Sequence, residues 1–344
     1  MIIRSLSVEN IRSHNRFAKQ LSKTVTVITG PNGSGKTSLI EAIMVALGGH
    51  SFKGNDAELL RRGAEWWRID IELDDEQRTV KYQPGATKPK QFVVDSKTSI
   101  RLPQAHRYPI VLFEPDDLRL LHGSPTRRRQ FIDRFASQLI PEYSRVLRRY
   151  ERSLSQRNKL LKAGGSSESL FAWNVSLAQY GAQIIDVRIR LIERLNAGLN
   201  PTYRTIAQTK DVVTIHYSHT SASHTEQKLL TELESQTDRD RLLGFTSVGP
   251  HRHDVLFDFN SSPAIGSASR GEVRTIILAL KFLEVDILQE VTGLPPIVLL
   301  DDVLSELDDK RQTHLATKFQ DHQIIMTSTN PPAVLGKAKV IKLR

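Results

Sequence analysis

The sequence predicts an α/β fold in which a strand–loop–helix core, accompanied by an antiparallel sheet, is interrupted by a mostly helical insertion. Residues 24–29 form a β-branched run, and residues 38–47 are apolar at helical spacing. Residues 2–20 and 68–95 alternate apolar and polar side chains, which indicates antiparallel strands. After Gly123 the pattern becomes mostly helical. These observations divide the core into two halves on either side of the insertion.

The loop between the first core strand and its helix carries a complete G-x-x-x-x-G-K-[ST] pattern. In such a loop successive backbone N–H groups surround nucleotide phosphates, and the helix adds the positive end of its dipole. We expect Lys36 to pair with the β- and γ-phosphates and Thr37 to ligate Mg²⁺. The sequence therefore predicts that ATP and Mg²⁺ bind here, and the predicted ATP-binding residues are Gly30, Pro31, Asn32, Gly33, Ser34, Gly35, Lys36, Thr37 and Ser38.

Composition limits the class of protein. The 344 residues, 39% of them hydrophobic, suffice for a large core. No apolar run approaches the ~20 residues that a membrane span needs, and the first residues lack the long apolar region of a signal peptide. We therefore expect a cytoplasmic protein without a membrane partner. The absence of cysteine excludes disulfides and thiolate metal sites, and the net charge of +10 favours a polyanionic partner.

Most of this charge lies in one segment. Residues 126–162 contain eleven Lys or Arg and three acidic residues, a net +8. Ser124 and Pro125 predict a helix N-cap followed by proline at the first helical position. Further along, arginines face away from an apolar stripe, which consists of Tyr143, Leu147, Tyr150 and Leu154. The predicted contact surface for a polyanion consists of Arg127, Arg128, Arg129, Arg145, Arg148, Arg149 and Arg152. A merely solvated face remains the alternative.

The remaining segments complete the predicted organisation. Helical patterns cover residues 170–199, with Pro201 beyond the helix end, and residues 225–243; strands are predicted at 212–217, 255–259 and 297–300. From residue 245 the pattern is that of the core again. We predict a head of residues 1–122 and 245–344 and a helical arm of residues 123–244, which would bind the polyanion and support dimerisation. Three histidines lie in polar sequence and are not predicted to bind a metal: His216, His219 and His224.

Distant motifs complete a predicted ATPase site. Residues 297–302 form an apolar run that ends in two carboxylates: Asp301 is predicted to bind Mg²⁺ and Asp302 to orient or deprotonate the attacking water. With Lys36, they are the predicted catalytic residues, and Thr37 with Asp301 the predicted metal ligands. Residues 269–272 resemble the signature motif of ABC-type ATPases, in which the hydroxyl of Ser269 and the N–H of Gly271 would meet a γ-phosphate held by another subunit.

A last motif, residues 305–308, resembles the D-loop that crosses the dimer interface of ABC-type ATPases. A turn or a helix cap would also explain either of these four-residue strings taken alone. Their order and spacing in one chain favour the ATPase interpretation.

These motifs resemble those of the RecF family, a relative of the SMC ATPases that lacks their coiled coil. The resemblance covers residues 2–330, and its most specific strings lie outside the general ATPase motifs. They are residues 123–125 with Arg127, Arg128, Arg129 and Asp133; residues 156–162; and residues 249–252 with Asp254. Two strings that include ATPase motifs complete the set, residues 268–272 with Arg274 and Thr275 and residues 301–308. The resemblance implies an ABC/SMC-type ATPase head with an inserted helical arm.

The resemblance also implies a function. Family members are ATP-dependent homodimers that bind DNA, as duplex or at junctions of single and double strands, in replication, recombination repair and the SOS response. They help to load recombinase at gaps alongside RecO-like and RecR-like mediator proteins. By the same resemblance this chain would be a weak, DNA-stimulated ATP hydrolase that acts as a switch, cytoplasmic and associated with the nucleoid. The polyanion expected from the charge pattern would then be DNA, on the seven arginines named above.

Several positions depart from the general ABC pattern. Asp302 stands where ABC proteins have glutamate, and its shorter side chain leads us to expect slow hydrolysis. The switch histidine of ABC proteins would fall near Thr329, where this sequence has no histidine. Residues 113–117, near the position expected for the Q-loop, contain no glutamine. Arg61 fits a phosphate, a DNA or a surface role equally well.

Two other functions fit part of the pattern. The nucleotide-binding subunit of a membrane transporter would share the ATPase motifs, but 232 positions separate Thr37 from Ser269, more than we expect in that class. A P-loop kinase acting on a small metabolite would need neither a signature motif nor a D-loop.

Overall fold

The computed structural model describes residues 1–218, 225–330 and 338–343, and His219 and His224 lie outside these ranges. The described residues form fourteen strands, with the following bounds: β1 (Ile3–Ile11), β2 (His14–Gln20), β3 (Val25–Thr29), β4 (Trp67–Leu73), β5 (Gln77–Tyr82), β6 (Lys90–Val94), β7 (Lys97–Ser99), β8 (Ile110–Phe113), β9 (Val213–Ser218), β10 (Asp254–Phe259), β11 (Ser262–Pro263), β12 (Ile297–Asp301), β13 (Ile324–Ser328) and β14 (Lys339–Lys342).

Nine α-helices lie in the same ranges: α1 (Lys36–Gly48), α2 (Pro125–Leu139), α3 (Tyr143–Lys162), α4 (Ser167–Ala207), α5 (Glu226–Ser235), α6 (Thr237–Leu243), α7 (Ala264–Ser267), α8 (Arg270–Thr292) and α9 (Asp309–Lys318). Within these ranges no helix is both long enough and apolar enough to span a bilayer. The predicted N-cap at Ser124 is confirmed, since its side chain accepts the N–H of Arg127 and Pro125 begins α2.

The chain divides into two compact units, Met1–Leu118 with Glu284–Arg344 and Arg119–Leu283. The first unit contains two sheets. One is parallel, in the order β14-β3-β13-β12-β8, and the other is antiparallel, in the order β2-β1-β4-β5-β6-β7. The alternating segments of the sequence therefore do form one antiparallel sheet, as predicted.

Helix α1 packs against strands of both sheets in this unit. Its residues from Ser38 to Leu47 are all buried, which explains why the helix is apolar on nearly every face rather than along one stripe. The one carboxylate on it, Glu41, is fully buried and accepts a hydrogen bond of 3.0 Å from the Arg12 guanidinium. At the other end Arg78 donates to the carbonyl of Ala46 (2.6 Å), next to the negative end of the helix dipole.

The second unit contains the three-stranded sheet β11-β10-β9 and most of the helices. Strand β10, which the sequence predicts to belong to the nucleotide core, instead pairs antiparallel with β9 in the second unit. Its alternation of buried and half-exposed residues suits a sheet that is covered on one face. Such an alternation does not specify which other strand β10 pairs with.

The prediction that a helix ends before Pro201 is wrong, because α4 continues through this proline to Ala207. A proline removes one backbone hydrogen bond, and packing on both sides offsets that loss. Asn196 and Asn200 exchange amide hydrogen bonds of 2.8–3.0 Å with the backbone of β9, and Tyr203 is buried beyond the proline. The helix is thus held by contacts with a strand that follows it, which its own sequence does not reveal.

A fully buried ion pair joins α3 to α6 in the second unit. The guanidinium of Arg157 donates to Asp240 over 2.6 Å, and neither side chain is exposed. The same guanidinium donates to Asn174 and Thr246, over 2.6 and 2.9 Å. A buried charge is tolerated where its hydrogen-bonding groups are satisfied in this way. Arg157, within one of the most specific strings of the sequence, is therefore an internal side chain.

A second buried network surrounds Arg188 on α4. Its guanidinium forms two hydrogen bonds of 2.8–2.9 Å with the Asp133 carboxylate and donates to the carbonyl of Pro250 over 2.7 Å. Tyr143 donates to the same carboxylate, and burial raises the pKa of its phenol far above the ordinary range. Tyr150 lies within hydrogen-bonding distance of His251 (2.7 Å), and burial lowers the pKa of that imidazole to about 4. The second unit is thus held by polar side chains as well as by apolar ones.

We predict that Arg157→Met lowers the free energy of unfolding by about 3–5 kcal/mol, because Asp240 is left charged and unpaired inside the unit. Urea unfolding followed by far-UV circular dichroism measures it. The matched control is Arg152→Met on the exposed face of the same helix, which should change this energy by less than about 0.5 kcal/mol. Equal stability of the two variants would mean that the buried pair is not needed.

Candidate active site

The glycine-rich loop has the backbone conformation of a phosphate-binding loop. Gly33 and Gly35 lie in the left-handed region, at φ values of 85° and 90°, and α1 begins immediately afterwards at Lys36. A Cβ on Gly35 would come within 2.4 Å of the His14 ring, so only glycine fits there. The loop therefore directs backbone N–H groups and a helix N-terminus at one point, an arrangement that favours an anion.

Lys36 folds back over this loop. Its ammonium donates to the carbonyl oxygens of Gly30 (2.7 Å) and Pro31 (3.0 Å). The hydroxyl of Ser34 is buried and has no hydrogen-bond partner among the described residues. A buried hydroxyl without a partner is costly, so the loop contains a polar group that a phosphate oxygen would satisfy.

Thr37 and Asp301 meet although 264 positions separate them. The Thr37 hydroxyl lies 2.8 and 2.9 Å from the two Asp301 carboxylate oxygens and donates to them. Only one strand, β13, lies between β3, which leads into the loop, and β12, which ends at Asp301. Because parallel strands present their carboxyl ends at one edge, the sheet order itself places these two groups together. Both are hard oxygen donors, which suits Mg²⁺.

Asp302 occupies a strained position next to this carboxylate. Its φ of 53° lies in the left-handed region, and its N–H donates to the Thr327 hydroxyl over 2.9 Å. Burial raises the pKa of the Asp302 carboxyl above its ordinary value; Lys36 opposes the rise, and the negative charges of Asp301 and Glu306 add to it. A raised pKa makes a carboxylate a better proton acceptor, which suits a group that orients water.

Three further residues of the first unit belong to this site and escaped the sequence analysis. Thr327 on β13 also donates to Asp301 over 2.9 Å, and the ammonium of Lys53 lies 3.5 Å from the same carboxylate. The ring nitrogen of His14, the first residue of β2, lies 3.0 Å from the carbonyl of Gly35. No local pattern marks these residues, since each reaches the site through strand pairing or a loop.

The signature string forms a helix cap in the second unit. The Ser269 hydroxyl accepts the N–H of Glu272 (3.3 Å), and the Glu272 carboxylate accepts the N–H of Ser269 (2.6 Å), a reciprocal capping box at the start of α8. Both the cap and a phosphate contact are compatible with this geometry, because the hydroxyl proton of Ser269 is not used in the cap. Gly271 lies in the first turn of the same helix.

The D-loop string follows Asp302 in the first unit. The Ser305 hydroxyl donates to the carbonyl of Asp302 (2.9 Å), and Asp308 caps α9 by accepting the N–H of Arg311. Gln312 donates to the carbonyl of Leu307 within the string and to that of Leu304 just before it. The segment is therefore fixed to the strand that carries the two acids.

The seven arginines of the predicted polyanion surface differ in how far they are exposed to solvent. Four of its arginines are exposed along α3, namely Arg145, Arg148, Arg149 and Arg152. Arg127 and Arg129 are half-buried, and Arg129 donates to the carbonyl of His253 over 2.8 Å. Arg128 is 8% exposed and forms two hydrogen bonds of 2.7–2.8 Å with the Asp254 carboxylate. Arg128 is thus committed to an internal ion pair.

The positions expected for the switch and Q-loop residues of ABC proteins, and Arg61, lie in three different surroundings. Thr329 is exposed, just after β13. In residues 113–117 the Asp117 side chain accepts the N–H of Glu114 over 2.9 Å, which closes a turn. Arg61 is half-buried, and its backbone N–H donates to the carbonyl of Asn10 over 2.9 Å.

Known proteins resemble this chain in both sequence and architecture. The AAA domain family matches residues 5–171. The DNA replication and repair protein RecF of Lachnoclostridium phytofermentans is 33% identical over 337 residues, which cover 96% of this chain and 93% of that protein. The chain belongs to the RecF family. A structure of the recombination mediator protein RecF with ATP superimposes with a TM-score of 0.85 at 29% identity, over 97% of this chain and 93% of that one.

The fold is also that of SMC heads. An Smc head bound to the C-winged helix domain of ScpA superimposes with a TM-score of 0.51 at 15% identity, over 97% of this chain and 91% of that one. The predicted α/β ATPase head of ABC/SMC type is therefore confirmed. Membership of the RecF family, together with the joined loop and carboxylates, makes this chain an ATPase and decides against a transporter subunit or a metabolite kinase.

We predict that Asp302→Asn lowers the rate of ATP hydrolysis by about 100-fold, the typical contribution of a positioned general base. ATP binding should remain, because the loop and Asp301 are unchanged. Phosphate release measures the rate and a fluorescent ATP analogue measures binding, with the exposed Asp321→Asn as control. Hydrolysis at the parental rate in Asp302→Asn would show that another group orients the water.

Proposed function

We propose that this RecF-family chain is an ATP-switched, DNA-binding homodimer that acts in DNA replication and recombination repair. The observation that carries the proposal is the direct contact of Thr37 with Asp301 in a chain that matches RecF over nearly its whole length. That contact joins the two halves of the proposed ATPase site, and membership of the RecF family indicates the cellular process. The experiment that tests the whole proposal is DNA binding with and without ATP, across single-stranded, duplex and gapped substrates.

ATP would bind with its phosphates in the loop of residues 30–38. Lys36 would exchange the two carbonyls that it now contacts for the β- and γ-phosphates, and Ser34 would gain the partner that it lacks. Thr37 and Asp301 would hold Mg²⁺, which neutralises charge on the transferred phosphate when it is bound. Lys53 balances the Asp301 charge from 3.5 Å. Asp302 would orient the attacking water, and hydrolysis would be slow. The time until ATP is hydrolysed would then set how long the bound state lasts.

Ser269 and Gly271 would complete the site of a second copy. They stand at the N-terminus of α8, where the helix dipole favours an anion, and the Ser269 hydroxyl retains its proton for a phosphate oxygen. Since these residues serve the nucleotide of the partner subunit in ABC-type ATPases, ATP would join two heads through two shared sites. The D-loop segment from Ser305 to Asp308 would lie at the same interface.

DNA would contact the exposed arginines of α3 together with Arg127 and Arg129. Helix α3 presents Arg145, Arg148, Arg149 and Arg152 outward, while Tyr143 and Tyr150 on the opposite face are buried. A guanidinium row of this kind neutralises backbone phosphates and reads no sequence. We leave Arg128 out of this surface because its guanidinium is paired internally with Asp254. Pairing of two heads would bring two such rows together on one duplex.

The family suggests the remaining parts of the role. The RecF protein whose ATP-bound structure superimposes on this chain is a recombination mediator in the RecFOR pathway. We therefore infer RecO-like and RecR-like mediators, gapped DNA as the substrate and recombinase loading as the outcome. A place in the SOS response, DNA-stimulated hydrolysis and a cytoplasmic, nucleoid-associated location complete the proposal.

We predict that ATP doubles the mass measured by light scattering at micromolar protein, whereas ADP does not. Ser269→Arg should prevent this doubling, because its bulk and positive charge would occupy the place of the partner's γ-phosphate. It should leave ATP binding to the single chain intact, whereas Lys36→Ala should weaken that binding. A mass that does not respond to ATP in the parent chain would contradict the shared-site arrangement.

We predict that replacing Arg145, Arg148 and Arg149 together by glutamine weakens binding to all duplexes about equally. The slope of log affinity against log salt should fall by roughly one unit for each lost phosphate contact. ATP affinity should not change. The matched control replaces Lys228, Lys310 and Lys339, basic residues outside α3, by glutamine. An unchanged salt slope in the arginine variant would mean that the row is only a solvated face.

A further inference from the structure

A groove of about 360 Å³ lies beside the paired strands β4 and β5 of the antiparallel sheet, in the first unit. Strand register aligns Trp67 with Tyr82 and Arg68 with Lys81 along it. The segment between β5 and β6 contributes Lys88. None of the ATPase motifs includes these residues, and the proposed function does not use them.

An exposed aromatic side chain lines this groove. Trp66 is 40% exposed, whereas its neighbour Trp67 is fully buried. Trp67 stacks on Tyr82 with ring centroids 5.5 Å apart and an angle of 19°, and its indole N–H donates to the carbonyl of Asp56 over 2.8 Å. The backbone next to Trp66 is therefore held firmly, while the Trp66 indole itself remains accessible. An exposed indole on a fixed backbone can serve as a platform for stacking.

The charges around the groove favour an anionic ligand. Lys81 and Lys88 are exposed, and neither forms an ion pair with a carboxylate among the residues that the structure describes. Arg68 is engaged in two hydrogen bonds of 2.7 Å with Asp70. The one acidic residue of the lining, Glu9, is balanced in part by Arg16 at 3.7 Å. Two ammonium groups beside an exposed indole are thus left for a ligand.

We propose that this groove binds unpaired nucleotides of a single-stranded nucleic acid, with a base stacked on Trp66 and the flanking phosphates on Lys81 and Lys88. Aromatic platforms with basic neighbours bind single strands in this way, because every base offers a π-face. The volume lies at the lower end of ligand sites and suits one or two nucleotides. A duplex keeps its bases stacked on one another and would not occupy the platform. The site goes beyond the arginine row, which contacts backbone alone.

Tryptophan emission tests the proposal with the full chain free of ATP. Oligo(dT) of about ten nucleotides, within the usual site size, should quench the emission. Trp66→Phe should remove most of the quenching, and the control Trp173→Phe, in the second unit, should retain it. Trp66→Ala should weaken oligo(dT) binding about tenfold by fluorescence anisotropy of a labelled strand. Circular dichroism checks that each variant is folded.

Two comparisons separate this site from the proposed duplex surface. The glutamine variant of Arg145, Arg148 and Arg149 should retain the oligo(dT) quenching, whatever its effect on duplex binding. Lys81→Gln with Lys88→Gln should lower the salt slope for oligo(dT) by about 1.4 units. Emission that oligo(dT) leaves unchanged, quenching that persists in Trp66→Phe, or equal quenching by a duplex of the same length would each overturn the proposal.

Discussion

Burial of α1 is the constraint on which the first unit depends. Strands of both sheets pack on this helix, and almost its entire length from Ser38 to Leu47 is removed from water. Two polar contacts fix it, Glu41 with Arg12 near the middle of the helix and the Ala46 carbonyl with Arg78 near its C-terminus. Because close-packed surroundings leave the helix little freedom to shift, its N-terminus and the glycine-rich loop hold a fixed position in the sheet. An anion site is thereby pre-organised.

The parallel sheet brings the glycine-rich loop after β3 next to the acids at the end of β12. Strand β13 separates the two strands that supply the loop and the acids, and Thr327 on it binds both Asp301 and the backbone of Asp302. The unusual backbone of Asp302 is thus supported by a neighbouring strand. The same edge gathers Lys53, so that a buried carboxylate has hydroxyl and ammonium partners. The site is polar and prearranged, as electrostatic stabilisation of phosphate transfer requires.

The second unit carries a row of like charges on its surface, the exposed arginines of α3, and it must remain folded despite their mutual repulsion. Several residues of its most specific sequence strings form internal ion pairs: Arg157 pairs with Asp240, Asp133 with Arg188, and Arg128 with Asp254. These pairs sit among satisfied hydrogen bonds and define how the helices meet. The exposed arginines of α3 take no part in these three pairs: Arg145 pairs with Glu142 at the surface over 3.0 Å, and Arg149 lies over the Tyr180 ring. A residue characteristic of the family is therefore not by itself a residue of the binding surface.

The sequence by itself determined the features that depend on neighbours along the chain. The loop from Gly30 to Thr37, the acids after β12, the alternating strands and the cap at Ser124 are set by turn, cap and periodicity rules, and their placement was predicted. Only the tertiary structure decided which strand β10 would join, that α4 would continue through Pro201, and that Lys53 and Thr327 would reach Asp301. These outcomes rest on pairing and burial between segments far apart in sequence. Local patterns do not encode such pairings, because one alternating strand fits many partners.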